Sequence, residues 1–209
     1  MPLLALLESG GKDYRRQPNS LALHALALMS CGRRAAAQAD CILFESLIRA
    51  TPARAINPEV AMMIAAVYGD LSDYNALIKL LWSAYSQNPH HREVANALTW
   101  SLATLPDKKI RKGKVALSIG EGVCRDSGWK DPGVLDSYSV AAAESGDWNT
   151  AIRWQQTAIA IATRQSDNRD LLPALQEHLS LFRSHLPCRD KPKGRSESTL
   201  TTIEIPGAG

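Results

Sequence analysis

The spacing of helix breakers constrains this chain more than any other feature. Glycines and prolines recur at Gly32, Pro52, Gly69, Pro89, Pro106, Gly128–Pro132 and Gly146. Between them apolar residues return every three or four positions, the period of a helix with one buried face. Leu21, Leu28 and Cys31 line one stripe, and Ile42, Leu43, Leu47 and Ile48 line the next. Segments of roughly 12–16 residues match ordinary globular helices. Nothing before residue 199 alternates as a half-buried strand would. Apolar residues make up 45% of the 209 positions but aromatics only 6%, so much of the apolar content is Ala and Leu. Those residues favour closely packed helices. The reading is all-α, a string of short antiparallel helices.

The breaks also repeat as units. Pro132–Ser145 and Trp148–Thr163 read as a hairpin around Gly146-Asp147. The stretch PEVAMMIAAVYGDLSDYNALIKLLWSAYSQNP, Pro58 to Pro89, shows an apolar helix, a Gly-Asp turn, a tyrosine, a second apolar helix and a closing proline. LALHALALMSCGRRAAAQADCILFESLIRATP, Leu21 to Pro52, closes with Asp40, Phe44, Leu47 and Pro52 at the spacing of Leu77, Leu81, Ala84 and Pro89. A further unit starting at Glu93 carries extra residues in its turn, within Leu105–Gly113. A lone helical hairpin cannot bury its apolar faces, whereas stacked hairpins share one continuous core. Ala65, Ala84, Ala142, Ala151 and Ala158 let helix axes approach, while Tyr68, Leu81, Tyr138 and Trp154 fill between them. Gly146 is expected to end a helix in the left-handed conformation and Asp147 to cap the next. Trp148 and Trp154 are thereby assigned to packing, and the remaining tryptophans, Trp82 and Trp129 among them, are expected mostly in the core. Asp170–His185 reads as a capping helix with Asp170 at its N-cap. Its Leu175, Leu179 and Phe182 would cover the last unit, and Gln176, Glu177 and Arg183 would face water.

These units resemble the tetratricopeptide repeat (TPR), whose pattern recurs over about 34 positions. The matching residues are Leu135, Ser139, Ala142, Gly146, Trp148, Ala151 and Ala158 in one unit, and Ala61, Ala65, Tyr68, Tyr74, Leu77, Ala84 and Pro89 in another. From Val94 to Arg189 the ordered set NALTWSLAT, the turn insertion, GWKDPGVLDSYSVAAAESGDW and LSLFRSHLPCR is similar to a bacterial TPR subgroup. Gln155 departs from the repeat, which usually has an aromatic or Leu there, and Thr163 stands where it often has Pro. The resemblance implies a right-handed α-solenoid of about four hairpins plus a C-terminal capping helix. It divides the chain into an N-terminal segment with partial helix (1–18), the solenoid (19–186) and a flexible tail (187–209). In a TPR array the first helix of each pair lines a concave, peptide-binding groove. That register points Met62, Ala66, Asn96, Trp100, Asp136 and Val140 into the groove, with Trp100 as an anchor or, alternatively, packed against the turn insertion. These positions lack the Lys and Arg that would clamp a partner's terminal carboxylate. The implied role is a protein-protein interaction scaffold or adaptor with a protein or peptide partner.

Little else in the sequence competes. No P-loop, GxGxxG, HExxH or GxSxG motif is present. No catalytic residue, cofactor or metal ligand is expected, and the chain is read as a non-enzyme. Cys31, Cys41, Cys124 and Cys188 form no CxxC pair and fit reduced, mostly packed thiols. With no secretion-signal pattern at the start and no long apolar run, a cytoplasmic location without membrane association is expected. His178 and His185 are read as a solvated face of the capping helix. The net charge is only +3, but KKIRKGK, Lys108 to Lys114, concentrates five basic residues. An alternative reading is a nucleic-acid-associated protein using that turn and the Lys191–Arg195 stretch, although no aromatic platform is interleaved. Another is a regulatory fragment of a larger TPR-containing enzyme.

Overall fold

A computed structural model of the chain describes residues 15–50 and 55–190. Among the described residues nine α-helices follow in order: α1 (Pro18–Ser30), α2 (Arg34–Ala50), α3 (Pro58–Leu71), α4 (Tyr74–Gln87), α5 (Arg92–Thr104), α6 (Gly113–Asp126), α7 (Pro132–Glu144), α8 (Trp148–Arg164) and α9 (Leu172–Arg183). A 3₁₀ turn, Ser166–Leu171, leads into α9, and the described residues contain no strand. The helices pair as hairpins α1/α2, α3/α4, α5/α6 and α7/α8, and α9 packs on α8 and α7. Successive first helices touch, α1 on α3, α3 on α5 and α5 on α7, so they form one inner layer. This is the all-α fold expected from the breakers, stacked as the solenoid that the TPR resemblance implies. Residues 1–14 of the segment expected to carry a partial helix, and the stretch beyond Asp190, lie outside the described residues.

Local chemistry sets the joints. Asn57, Asp73, Asp131 and Asp147 each accept backbone N–H groups at the start of α3, α4, α7 and α8, at 3.0–3.2 Å. Such caps satisfy donors that the first helical turn leaves unpaired. Pro58 and Pro132 follow two of them, where a missing N–H costs nothing. Gly146 adopts φ +87°, and the Gly146 and Asp147 N–H groups return to Ala143 O and Ala142 O. That is the expected left-handed C-terminal closure. The α3–α4 turn differs from expectation. Gly69 and Asp70 lie inside α3, and Ser72 takes the left-handed position at φ +60°. Asp73, rather than Asp70, supplies the cap of α4, and this moves the turn three residues on.

The core follows the repeat logic with local shifts. Ala65, Ala84, Ala142, Ala151 and Ala158 are all buried at helix contacts. In α2 the buried stripe is Ala37, Cys41 and Phe44, while Ile42 is exposed and Leu43, Leu47 and Ile48 are half-buried. The run CILF offers two helical faces. Phe44 and the buried Asp40, whose carboxylate meets His24 at 2.5 Å, select the inner one. Cys31 sits past the end of α1 and is exposed. Burial first, then nearby carboxylates, push the Cys41 and Cys124 thiols up to about 12, so both are packing groups. Trp154 stacks on Trp129 at 4.3 Å, with Tyr138 edge-on to both. Trp148 stacks on His185 at 5.2 Å. Trp82, expected in the core, stands 45% exposed beside Tyr85.

The cap α9 buries Leu175 and Phe182, half-buries Leu179, and exposes Gln176, Glu177 and Arg183. Asp170 does not cap it, because the 3₁₀ turn extends to Leu171 and the N-cap makes no side-chain bond. Nor does the chain leave the body at Pro187. Residues 187–190 run back across α5, and Cys188 is buried.

Candidate functional site

Four of the six groove residues inferred from the repeat register meet at one place. Met62 from α3, Asn96 and Trp100 from α5, and Asp136 from α7 line an open cleft of about 490 Å³ on the inner layer. Glu93 lies at the same cleft, whose lining contains neither Lys nor Arg. Ala66, exposed on α3, borders an adjoining cleft for which Trp100 is also a wall. Val140 is not in the groove. It is 1% exposed, on a helix that α5, α6, α8 and α9 all contact.

Trp100 is held at its indole by the returning chain and by α9. Its indole N–H donates to Asp190 Oδ1 at 3.2 Å, and its ring lies tilted against His178 at 5.7 Å. The other Asp190 oxygen accepts the Thr104 hydroxyl at 2.8 Å, and the Asp190 N–H donates to Thr104 O. His178 in turn meets Asp136 Oδ1 at 2.8 Å. Gln155, fully buried, donates to the same oxygen at 2.7 Å and to Leu175 O at 3.1 Å. The departure of Gln155 from the repeat pattern therefore has a use. It ties α7, α8 and α9 into one polar junction, where an apolar side chain would leave Asp136 less supported.

His178 was the least legible member of this network, since seven-residue spacing from His185 suggested a solvated face. Burial disfavours its charged form. Hydrogen bonds to Asp136 and Cys188, with their charges, outweigh burial and push its pKa up to about 10. His178 is thus a cation at neutral pH. Its raised value makes its contribution to stability complete below the ordinary histidine range and lost as pH rises towards 10. Thermal unfolding followed from pH 6 to 10 is expected to show a decline that His178→Gln flattens. A decline of the same slope in the variant would remove His178 as its source.

A second lock joins the turn insertion to the end of the solenoid. Glu144 accepts from Arg111 Nε at 2.9 Å and meets an Arg189 nitrogen at 2.5 Å. Arg111 also donates to Leu105 O and Pro106 O. The basic cluster is therefore divided: Lys108, Lys109, Lys112 and Lys114 are exposed, while the Arg111 guanidinium is spent internally. Among the described residues no group of three or more His, Cys, Asp and Glu side chains is placed to hold a metal. No described helix is long and apolar enough to cross a membrane.

No sequence profile of a known protein family matches the chain, and no curated protein matches it. Among solved structures it is similar to "MamA MSR-1 C2", a TPR-repeat protein, with a TM-score of 0.58 and 16% identity. The similarity covers 77% of this chain and 86% of that one. At this identity the likeness establishes a shared fold.

Proposed function

We propose that this TPR-like chain is an interaction module that holds an extended segment of a partner protein on its concave face. It acts as an adaptor in the cytoplasm, where unpaired cysteines stay reduced, and performs no chemistry of its own. The observation that carries the reading is the cleft spanning the first helices of three consecutive hairpins, with Met62, Asn96, Trp100 and Asp136 in its lining. Half-buried apolar and amide groups there supply contact area and backbone hydrogen bonds to a peptide. The lining contains no Lys or Arg that could clamp a terminal carboxylate, so an internal segment suits it better than a chain end.

A nuclease-treated pull-down from source-cell lysate, at near-physiological salt, tests this with Asn96→Arg. Trp100→Ala is the poorer probe, because it also breaks the bond to Asp190. A protein captured by wild type and lost by Asn96→Arg, with melting unchanged, is the expected result. Capture that vanishes on nuclease treatment would transfer the function to the exposed lysines of the turn. Capture indifferent to Asn96→Arg would move the site away from this cleft.

A further inference from the structure

Turning α5 into α6 takes more chain than a hairpin of this fold requires. The other hairpins turn within residues 31–33, 72–73 and 145–147, whereas residues 105–112 separate α5 from α6. Closing the hairpin does not call for the added residues, so what they contribute is their own chemistry.

The insertion is a pinned base with free charges on it. Arg111 donates to Leu105 O, Pro106 O and Glu144, the Lys112 N–H to Leu102 O, and the Ile110 N–H to Asp107 O. Asp107 Oδ1 accepts the Lys109 N–H at 2.8 Å. These bonds use the backbone and the arginine and leave the lysine side chains out. Lys108, Lys109, Lys112 and Lys114 are all exposed, and none forms an ion pair with a described carboxylate. Glu144 is shared by Arg111 and Arg189, so it has no charge to spare for them. The helix α6 begins inside the cluster with no acidic residue in its first turn and no side-chain cap, and the positive end of its dipole adds to the same sign. Four ammonium groups on one short turn repel one another, and an anionic partner relieves that repulsion and draws itself in over a distance.

The cluster is bounded on both sides. Asp147 follows Ser145 and Gly146, and the Ser145 nitrogen lies 2.9 Å from where a Gly113 Cβ would stand. On the other side Gly69 and Asp70 share a cleft lining with Leu105, and the turn that follows them carries Asp73. A phosphate backbone running along this edge of the solenoid would meet those carboxylates, and no aromatic side chain stands among the lysines to stack a base. A short acidic stretch of polypeptide fits between them.

We propose that the turn insertion is a docking surface for a short acidic stretch of a protein, held by Lys108, Lys109, Lys112 and Lys114. The surface is separate from the cleft of Met62, Asn96 and Asp136, so the inference stands whether or not a partner occupies that cleft.

The test follows a fluorescein-labelled hexaglutamate peptide by anisotropy, against the full chain and the full-length variant Lys108→Gln, Lys109→Gln, Lys112→Gln, Lys114→Gln. The four side chains are exposed and the bonds of the turn at Lys109 and Lys112 are made by backbone N–H groups, so melting is expected to be unchanged. Wild type is expected to bind with an affinity that falls steeply as salt rises, and the variant to bind roughly tenfold more weakly or less well still. Lys108→Arg, Lys109→Arg, Lys112→Arg, Lys114→Arg is expected to restore the affinity, which separates charge from any change in the turn. Lys79→Gln with Lys130→Gln, at exposed lysines outside the turn, and Asn96→Arg in the groove are each expected to leave it as in wild type. All variants keep Lys191, Lys193 and Arg195, so affinity that survives the quadruple glutamine substitution would place the binding elsewhere and overturn the proposal. No binding by wild type, or an equal loss in Lys79→Gln with Lys130→Gln, would overturn it as well. A short DNA duplex is the competing probe. Binding tighter than that of hexaglutamate, and lost in the quadruple glutamine variant, would give the surface to nucleic acid instead.

Discussion

Glu144→Ala is expected to lower the unfolding free energy by about 3 kcal/mol, the lower end of the cost of breaking a buried ion pair from one side. Glu144 ends α7 and stands between two guanidiniums, with its side chain 14% exposed and that of Arg111 only 9% exposed. Removing the carboxylate leaves both cations in place without their anion. Arg111 keeps Leu105 O and Pro106 O, and Arg189 keeps Ala103 O and Cys188 O, which holds the loss at the lower end of the range. For a domain of this size the melting temperature should fall by roughly 6–12 °C. Stability in a solenoid is a sum of unit and neighbour terms. Hydrogen exchange should therefore accelerate first in α5–α9 and residues 187–190, with α1 and α2 least affected. Uniform acceleration along the chain, or a shift below about 1 kcal/mol, would show that the two arginines are satisfied without Glu144.

Gly113→Ala is expected to cost about 1–3 kcal/mol, the range for forcing an extra methyl into a filled contact. Gly113 opens α6, and a Cβ there would meet the Glu144 carbonyl carbon at 2.8 Å and the Ser145 nitrogen at 2.9 Å. Both are backbone atoms, so no rotamer change relieves the clash. The α6 start cannot easily withdraw, since the Lys112 N–H is bonded to Leu102 O and Arg111 to Glu144. Gly122→Ala is the internal control. It lies on the same helix, a Cβ there meets nothing within 4 Å, and its helix propensity should improve by about 1 kcal/mol. Urea denaturation of the two variants should therefore move in opposite directions. Parallel shifts would mean that the close approach of α6 to the end of α7 is not what requires glycine.

The two sites show where sequence reasoning stops. The breakers and three-to-four spacing of Leu, Ala and Val led to helices and hairpins because those signals are local. A glycine or capping aspartate acts within one turn of chain. The repeat register then placed Met62, Asn96, Trp100 and Asp136 on one face, and the structure brings them to one cleft. Val140, given by the same register, is buried instead, on a helix that four other helices contact. The turn reading also failed at Gly69, where two turn signals three residues apart competed and the cap at Asp73 prevailed. His178, Gln155 and Arg111 were each read by their neighbours in sequence, as solvated or as departures from the repeat. Their actual partners are 42, 19 and 33 residues away.

Periodicity and backbone preference, which act over a few residues, determined the helical class, the hairpin unit and the Gly146–Asp147 joint. The inner-layer stripe came from the resemblance to the TPR. Only the tertiary structure decided which polar groups are buried together, that residues 187–190 return to Trp100, and that a second cleft opens beside them. Those outcomes depend on burying a charge beside its counter-charge across long stretches of chain. A carboxylate such as Glu144 carries no mark in the sequence of which arginine it will meet.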